Sequence, residues 1–410
     1  MQVMFPNCAG IDVHQKSAFV CLVRTKADGQ VDREVRKFGT TTRALLELSD
    51  WLVAAGGTHV ALESTGVYWK PVFNRLESAV EVWLINPQHI KALPGRKTDV
   101  KDCEWIADWV RHGLLRRSFI PPHEIRDLRD LVRTRTTMLR DRTRQGNRIQ
   151  KVLEDANLEL ARVASDVMGV SGRAMLQAPI DGETDPKTLA ELARGRLRSK
   201  RPELQEALWG RVTDHHRFLL RMHLGLVEAL DGRVAEWSDR IEVCMAPFAA
   251  ARDLLDQITG VGQEVATVVI SEMGTDMHYW PTHRHGASWV ALCPGHHESA
   301  GQRKSGRTRK GNQWLRAALV QAAWAASHAR DTYLSAHFHR IRSRRGPKKA
   351  AVATAHSIFV RCYHMLADGT EYEELGGGYF DERQRQEVQK RLIRRLESLG
   401  LEVTVKPAAA

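Results

Sequence analysis

Four carboxylates early in the chain stand at or near strand positions or at a helix start. Asp12 falls within an apolar run from Cys8 to Val23, and Glu63 closes a second, Thr58-His-Val-Ala-Leu-Glu-Ser64. Asp99 and Asp102 are three apart at the start of an amphipathic segment, which puts them on one helix face. An acid inside an apolar strand is costly unless it is paired or metal-bound. The four together read as hard oxygen ligands for Mg²⁺, with Mn²⁺ as the other candidate ion. Two such ions about 4 Å apart can clamp the attacking and leaving oxygens of a phosphodiester.

A second constellation lies at Glu298-Ser-Ala-Gly-Gln-Arg-Lys-Ser-Gly-Arg-Thr-Arg-Lys-Gly-Asn-Gln-Trp-Leu-Arg316. No acidic residue occurs from Ser299 to Arg330. Gly301, Gly306 and Gly311 are interspersed with Arg303, Lys304, Arg307, Arg309 and Lys310, and Arg316 follows. Glycines allow close backbone approach and the cations neutralise phosphate, so the stretch reads as a loop for a nucleic-acid backbone. Ser299 is the hydroxyl directly ahead of the glycines and cations and is the candidate nucleophile, with Ser305 in reserve.

The elements that must carry these residues follow from periodicity. Cys8 to Val23 predicts one strand, and after the Asp28-Gly29 turn Val31 to Phe38 pairs back as a hairpin. A helix around Leu45 to Val53, the strand ending at Glu63, another helix, and a strand from Val80 to Asn86 closed by Pro87 complete a mixed α/β sheet with helices packed on it. Thr98 is the expected N-cap of a helix running to Leu115. Residues 124 to 154 form a long basic helix in which Arg126, Arg133, Arg140 and Arg144 can meet phosphate opposite an apolar stripe. After a less regular stretch, a second long helix from about 203 to 245 makes a coiled-coil hairpin, a natural oligomerisation element. Pro247 opens a mainly helical region. There Ile258-Thr-Gly-Val-Gly262 joins two apolar helical runs like a helix-hairpin-helix, with Gly260 and Gly262 at a DNA phosphate. His283, His285, His296 and His297 lack partner ligands at metal spacing and read as structural or phosphate-contacting. A helix from Trp314 to Ala329, a basic run from Arg340 to Lys349 and a helix over about 350 to 367 follow, then a charged, peripheral tail. The expected divisions are 1–122, 123–246, 247–368 and 369–410.

The chain carries 61 Lys plus Arg against 49 Asp plus Glu, a net charge of +12. The clustering of that excess favours a nucleic-acid partner over an acidic small molecule. Six scattered cysteines without a CxxC pair point to reduced thiols in a cytoplasm, and no apolar run is long enough to span a membrane.

In order along the chain stand Gly10-Ile-Asp12, Leu62-Glu63-Ser-Thr-Gly66, Lys97-Thr-Asp99-x-x-Asp102, Ile258-Thr-Gly-Val-Gly262 and Ser299-Ala-Gly-x-x-x-x-Gly306-x-x-x-Lys310-Gly-Asn-x-x-Leu315-Arg316. This set resembles the DEDD transposases of the one-ten insertion-sequence family, the bridge-RNA-guided serine recombinases. The resemblance implies a RuvC-like, RNase-H-fold domain with Asp12, Glu63, Asp99 and Asp102 as metal ligands, a coiled-coil linker, and a transposase domain whose serine, here Ser299, joins covalently to DNA. It implies double-stranded donor and target DNA, an element-encoded structured guide RNA, and a dimer or tetramer in a prokaryotic, nucleoid-associated setting. Ala300 departs from it, because a glycine is more usual after the serine. A RuvC-like junction resolvase would need only the acids. An actin-like sugar kinase also opens on Gly-Ile-Asp, but it would want a phosphate-loop glycine where His14 stands. A purely binding scaffold would need no acid at all.

Overall fold

The computed structural model describes residues 2–64, 66–86, 98–295, 297–383 and 385–404. Thr65, Pro87, Lys97 and His296, which figured in the motifs above, lie outside the described residues. The chain divides into two compact units, Met1–Ile120 and Pro121–Ala410.

In the first unit the run from Cys8 to Val23 is two strands rather than one. β1 (Asn7–Val13) and β2 (Ser17–Thr25) form an antiparallel hairpin with Val13 opposite Ala18. The break falls at His14-Gln15-Lys16, the polar triplet inside the apolar run, where the His14 amide donates to the Ser17 carbonyl (2.8 Å). β3 (Val31–Gly39) pairs with β2 as expected, and β4 (His59–Glu63) and β5 (Glu81–Ile85) add in parallel, giving the order β3-β2-β1-β4-β5. This mixed five-stranded sheet is consistent with a RuvC-like domain.

Period-2 alternation sends Ala9, Ile11 and Val13 to one core with α1 (Thr42–Ala54) and α2 (Trp69–Leu76). Cys8, Cys21, Ala61 and Trp83 pack on the other face with Cys103, Ile106, Ala107 and Val110 of α3 (Asp99–Arg111). Thr98 caps α3 by accepting from the Lys101 amide. Gly10 explains how closely α3 lies on β1. A Cβ there would stand 2.3 Å from the Cys103 carbonyl and 2.4 Å from the Ala107 nitrogen.

Among its described residues the second unit is helical apart from one small hairpin. α4 (His123–Asp155) packs along α9 (Asp214–Met245), and Asp231 of α9 pairs with both Arg142 and Arg173. Between them α5 (Leu160–Val163), α6 (Val170–Ile180), α7 (Pro186–Glu191) and α8 (Arg201–Ala207) build a core of their own with the ends of the two long helices. The helix expected from 203 to 245 is therefore broken. At Gly210 a side chain would strike the Ala156 carbonyl at 2.4 Å, so the chain turns against the end of α4, and Thr213 and His216 start α9 with a reciprocal cap. There follow α10 (Ala249–Asp256), α11 (Gln263–Met273), α12 (His283–Val290), the hairpin of β6 (His297–Ser299) and β7 (Gln302–Ser305), and α13 (Gln313–His328). The basic run is itself helical, in α14 (Tyr333–Arg345), which Gly346 ends at φ +81 before α15 (Pro347–Asp368). The six cysteines form no disulfide. Among the described residues no helix is long and apolar enough to cross a membrane.

Candidate active site

Asp12 lies on the α3 face of central strand β1, 8% exposed. Asp99 opens α3, and the contact through Gly10 holds that helix end over Asp12. His14 Nε2 is 3.2 Å from Asp12 Oδ2 and 3.3 Å from Asp99 Oδ2, so the three side chains offer ligand atoms within 4.8 Å of one another. Asp102 is one turn along α3, and its Oδ1 is buried with no hydrogen-bond partner. Glu63 ends β4, one residue beyond the Ile11–Leu62 pair and so level with Asp12. Its carboxylate stands outside the group of three. Burial lifts the Asp12 carboxyl above its ordinary range; His14 opposes this, and the charges of Asp99, Asp102 and Glu63 add to it. Converging acids with one orphaned oxygen form a donor set that a divalent cation would complete. Sequence alone did not mark His14 as a partner of the acids, because it stood inside what read as one continuous strand.

The serine stretch is a hairpin with Ser299 opposite Gln302. Its turn holds Ala300 at φ 51 and Gly301 at φ 74. Ala300 therefore holds a left-handed conformation that only glycine enters without strain. The side chains of Ser299, Arg303 and Lys304 lie outside the described residues. Ser305 Oγ accepts from the Arg307 amide (3.2 Å). The hairpin base is tied by the Gly295 amide donating to the Arg307 carbonyl (2.9 Å). Arg307, Arg309 and Lys310 are exposed and Arg316 is half-buried, and among the described residues none of them has an acidic partner.

Glu272 on α11, fully buried, organises the elements around this hairpin. It accepts from Arg133 Nε and Nη2 (2.7 Å each) and from Asn312 Nδ2 (2.6 Å), while Asn312 Oδ1 caps α13. Arg129 donates to the Ser271 and Glu272 carbonyls, and burial drops its pKa to about 10 even beside Glu272. Arg133, expected at phosphate, is thus half-buried and paired with the buried Glu272. Arg144 pairs with Asp141 on its own helix. Arg126 sits on the first turns of α4. Arg140 stacks on Trp314 at 4.6 Å, beside a cavity of about 410 Å³ bounded by α4, α9, α11 and α13.

α10 and α11 make the expected pair of helices about a Gly-x-Gly turn. Gly262 is the N-cap of α11. Gly260, at φ +87, serves packing, because a Cβ would stand 2.4 Å from the Ala322 carbonyl of α13. The start of the tail is not peripheral: Glu374 accepts from Thr259 of this turn (3.0 Å) and from the Tyr333 amide that opens α14 (2.7 Å).

Two family models match this chain. A DEDD transposase model named for IS110 covers residues 9–158, from β1 to just beyond α4, and the model described as "Transposase IS116/IS110/IS902 family" covers 252–339, from within α10 to within α14, a span that includes the Gly-x-Gly turn and the serine hairpin. The chain belongs to the IS110 transposase family. It is 26% identical over 272 residues to a "Probable family 20 transposase" of Pseudomonas aeruginosa, spanning 65% of this chain and 70% of that one. It is 23% identical over 303 residues to the "Transposase for insertion sequence element IS1111A" of Coxiella burnetii, spanning 72% and 74%. As an IS110-family transposase it is an enzyme acting on DNA, and its acid cluster agrees with the divalent-metal use that the DEDD type suggests.

Proposed function

We propose that this transposase cleaves and rejoins DNA strands to excise and insert its own mobile element, that its sites are chosen by an element-encoded guide RNA, and that Ser299 is the nucleophile. The observation that supports the catalytic half best is the convergence of Asp12 and Asp99, with an unpartnered Asp102 oxygen beside them. Asp12, Glu63, Asp99 and Asp102 would hold Mg²⁺, which supplies Lewis-acid polarisation of a phosphoryl oxygen when bound. The Ser299 hydroxyl attacks phosphorus as it loses its proton. A serine–phosphate bond forms, the bond from phosphorus to a sugar oxygen breaks, and that oxygen leaves as a hydroxyl end. Arg303 and Lys304 offset charge developing on the phosphate, while Arg307, Arg309, Lys310 and Arg316 hold the backbone. The phosphodiester energy is kept in the protein–DNA link, so a new hydroxyl can displace the serine. Arg140 with the exposed cations of α4 offers a surface for structured RNA, and the α4–α9 hairpin a place for protomers to join.

The test is a reaction stalled on a nicked target and then denatured. Wild type should yield a DNA end attached to a peptide containing Ser299, and Ser299→Ala should yield none. Asp12→Asn should abolish cleavage while DNA and RNA binding persist, and RNA-free protein should not recombine its sites. An adduct that moves to Ser305 would reassign the nucleophile. Cleavage with no adduct in wild type would instead make the acids those of a water-using junction endonuclease.

A further inference from the structure

We propose that His14 is itself a ligand of the divalent-ion site, adding an imidazole nitrogen to the carboxylates and shifting its preference from Mg²⁺ toward Mn²⁺ and other borderline ions. This rests on the metal reading of Asp12 and its neighbours and deepens it. None of the four acids of the DEDD set predicts a nitrogen donor, and the position is a turn residue just past β1.

Three features aim the ring. The backbone is pinned by the His14 amide donating to the Ser17 carbonyl (2.8 Å). The imidazole stands edge-on to Phe19, ring centres 6.2 Å apart and planes at 82°, and the Lys37 ammonium covers Phe19 at 5.0 Å. In that orientation Nε2 faces both Asp12 Oδ2 (3.2 Å) and Asp99 Oδ2 (3.3 Å). Two donors each about 2.1 Å from one ion and at right angles are about 3 Å apart, so these separations match neighbouring vertices of one coordination shell. Among the described residues this is the one group of three such side chains whose ligand atoms lie so close together.

The chemistry follows from ligand type. Mg²⁺ takes an all-oxygen octahedron and keeps its waters, whereas a transition ion gains from imidazole. A His14 that merely balances the charge of the two acids would give no nitrogen bond and no discrimination between ions.

Untagged full-length protein should be loaded with one equivalent of Mn²⁺ and examined by electron spin-echo envelope modulation. Wild type should show ¹⁴N coupling from a directly bound imidazole, and His14→Gln should bind Mn²⁺ without that coupling. In titrations His14→Gln should weaken Mn²⁺ by about tenfold, while Mg²⁺, measured by competition, changes by less than about twofold. Circular dichroism of His14→Gln should match wild type. Bound Mn²⁺ without ¹⁴N coupling in wild type, coupling that survives in His14→Gln, or equal losses for the two ions would overturn the assignment of His14 alone. If wild type binds no Mn²⁺, or Asp12→Asn binds it as well as wild type, the metal reading fails and takes His14 with it.

Discussion

Burial raises the Asp12 carboxyl above the ordinary carboxylate range; His14 pulls it back, and Asp99, Asp102 and Glu63 push it up again. A raised acid binds its proton more tightly folded than unfolded. Its favourable contribution is therefore complete below the unfolded value, about 3.9, and is lost as pH rises through the folded one. Asp12→Asn should consequently melt above wild type at pH 7 in EDTA, with the gap narrowing toward pH 4. Saturating Mg²⁺ should close or reverse it, because only wild type gains binding energy. Identical melting curves at both pH values in EDTA would mean that the acid carries no burial penalty. Asp12 was legible in the sequence because an acid inside an apolar strand is costly unless used, and Asp99 and Asp102 because their spacing puts them on one helix face. His14 was not, and neither was Glu272, whose partners Arg133 and Asn312 are 139 and 40 residues away. Nothing local in Ser-Glu-Met marks Glu272 as buried. At Ala300 the left-handed backbone is worth about 1 kcal/mol of strain. Ala300→Gly should slow amide exchange in the β6–β7 hairpin by up to about fivefold.

The elements turn side chains into a site through backbone contacts. Gly10→Ala would place a methyl 2.3 Å from the Cys103 carbonyl, so α3 has to move off β1 and take Asp99 and Asp102 with it. The expected outcome is a loss of roughly 2 kcal/mol or more in stability and weaker Mn²⁺ binding, read by denaturant melts and by titration. Glu272→Ala leaves the buried Arg129 charge, and the half-buried Arg133 beside it, without their carboxylate and should cost about 3 kcal/mol. The strand break at His14-Gln15-Lys16 is hard to read from sequence because the flanking residues are apolar on both sides and only three polar residues make the turn. The break before α9 is equally hidden, because Gly210 reveals itself only against the end of α4, a packing arrangement with no local signature.

For the whole molecule, the net charge of +12 is divided between cations already paired inside the fold and cations left exposed. Arg307→Ala/Arg309→Ala/Lys310→Ala should flatten log K against log salt for DNA by about 0.7–0.9 for each phosphate that is no longer neutralised. Arg133→Met should lower stability and leave that slope unchanged. An unaltered slope in the triple variant would remove the hairpin from the DNA surface. Charge clustering pointed to the partner class, whereas which arginines are free depended on folded contacts that composition cannot contain.

The strap at the start of the tail bears on how the protein can be handled at the bench. Glu374 also accepts from the Tyr372 hydroxyl and the Gly376 amide (3.0 Å each), and Tyr379 and Phe380 lie against the Tyr333 ring with centres 5.2 and 5.0 Å away. A chain cut after Asp368 to give a tidier expression product would uncover that aromatic face and strip the first amide of α14 of its acceptor. A fluorescent protein or affinity handle joined after Leu401 leaves every one of these interactions in place.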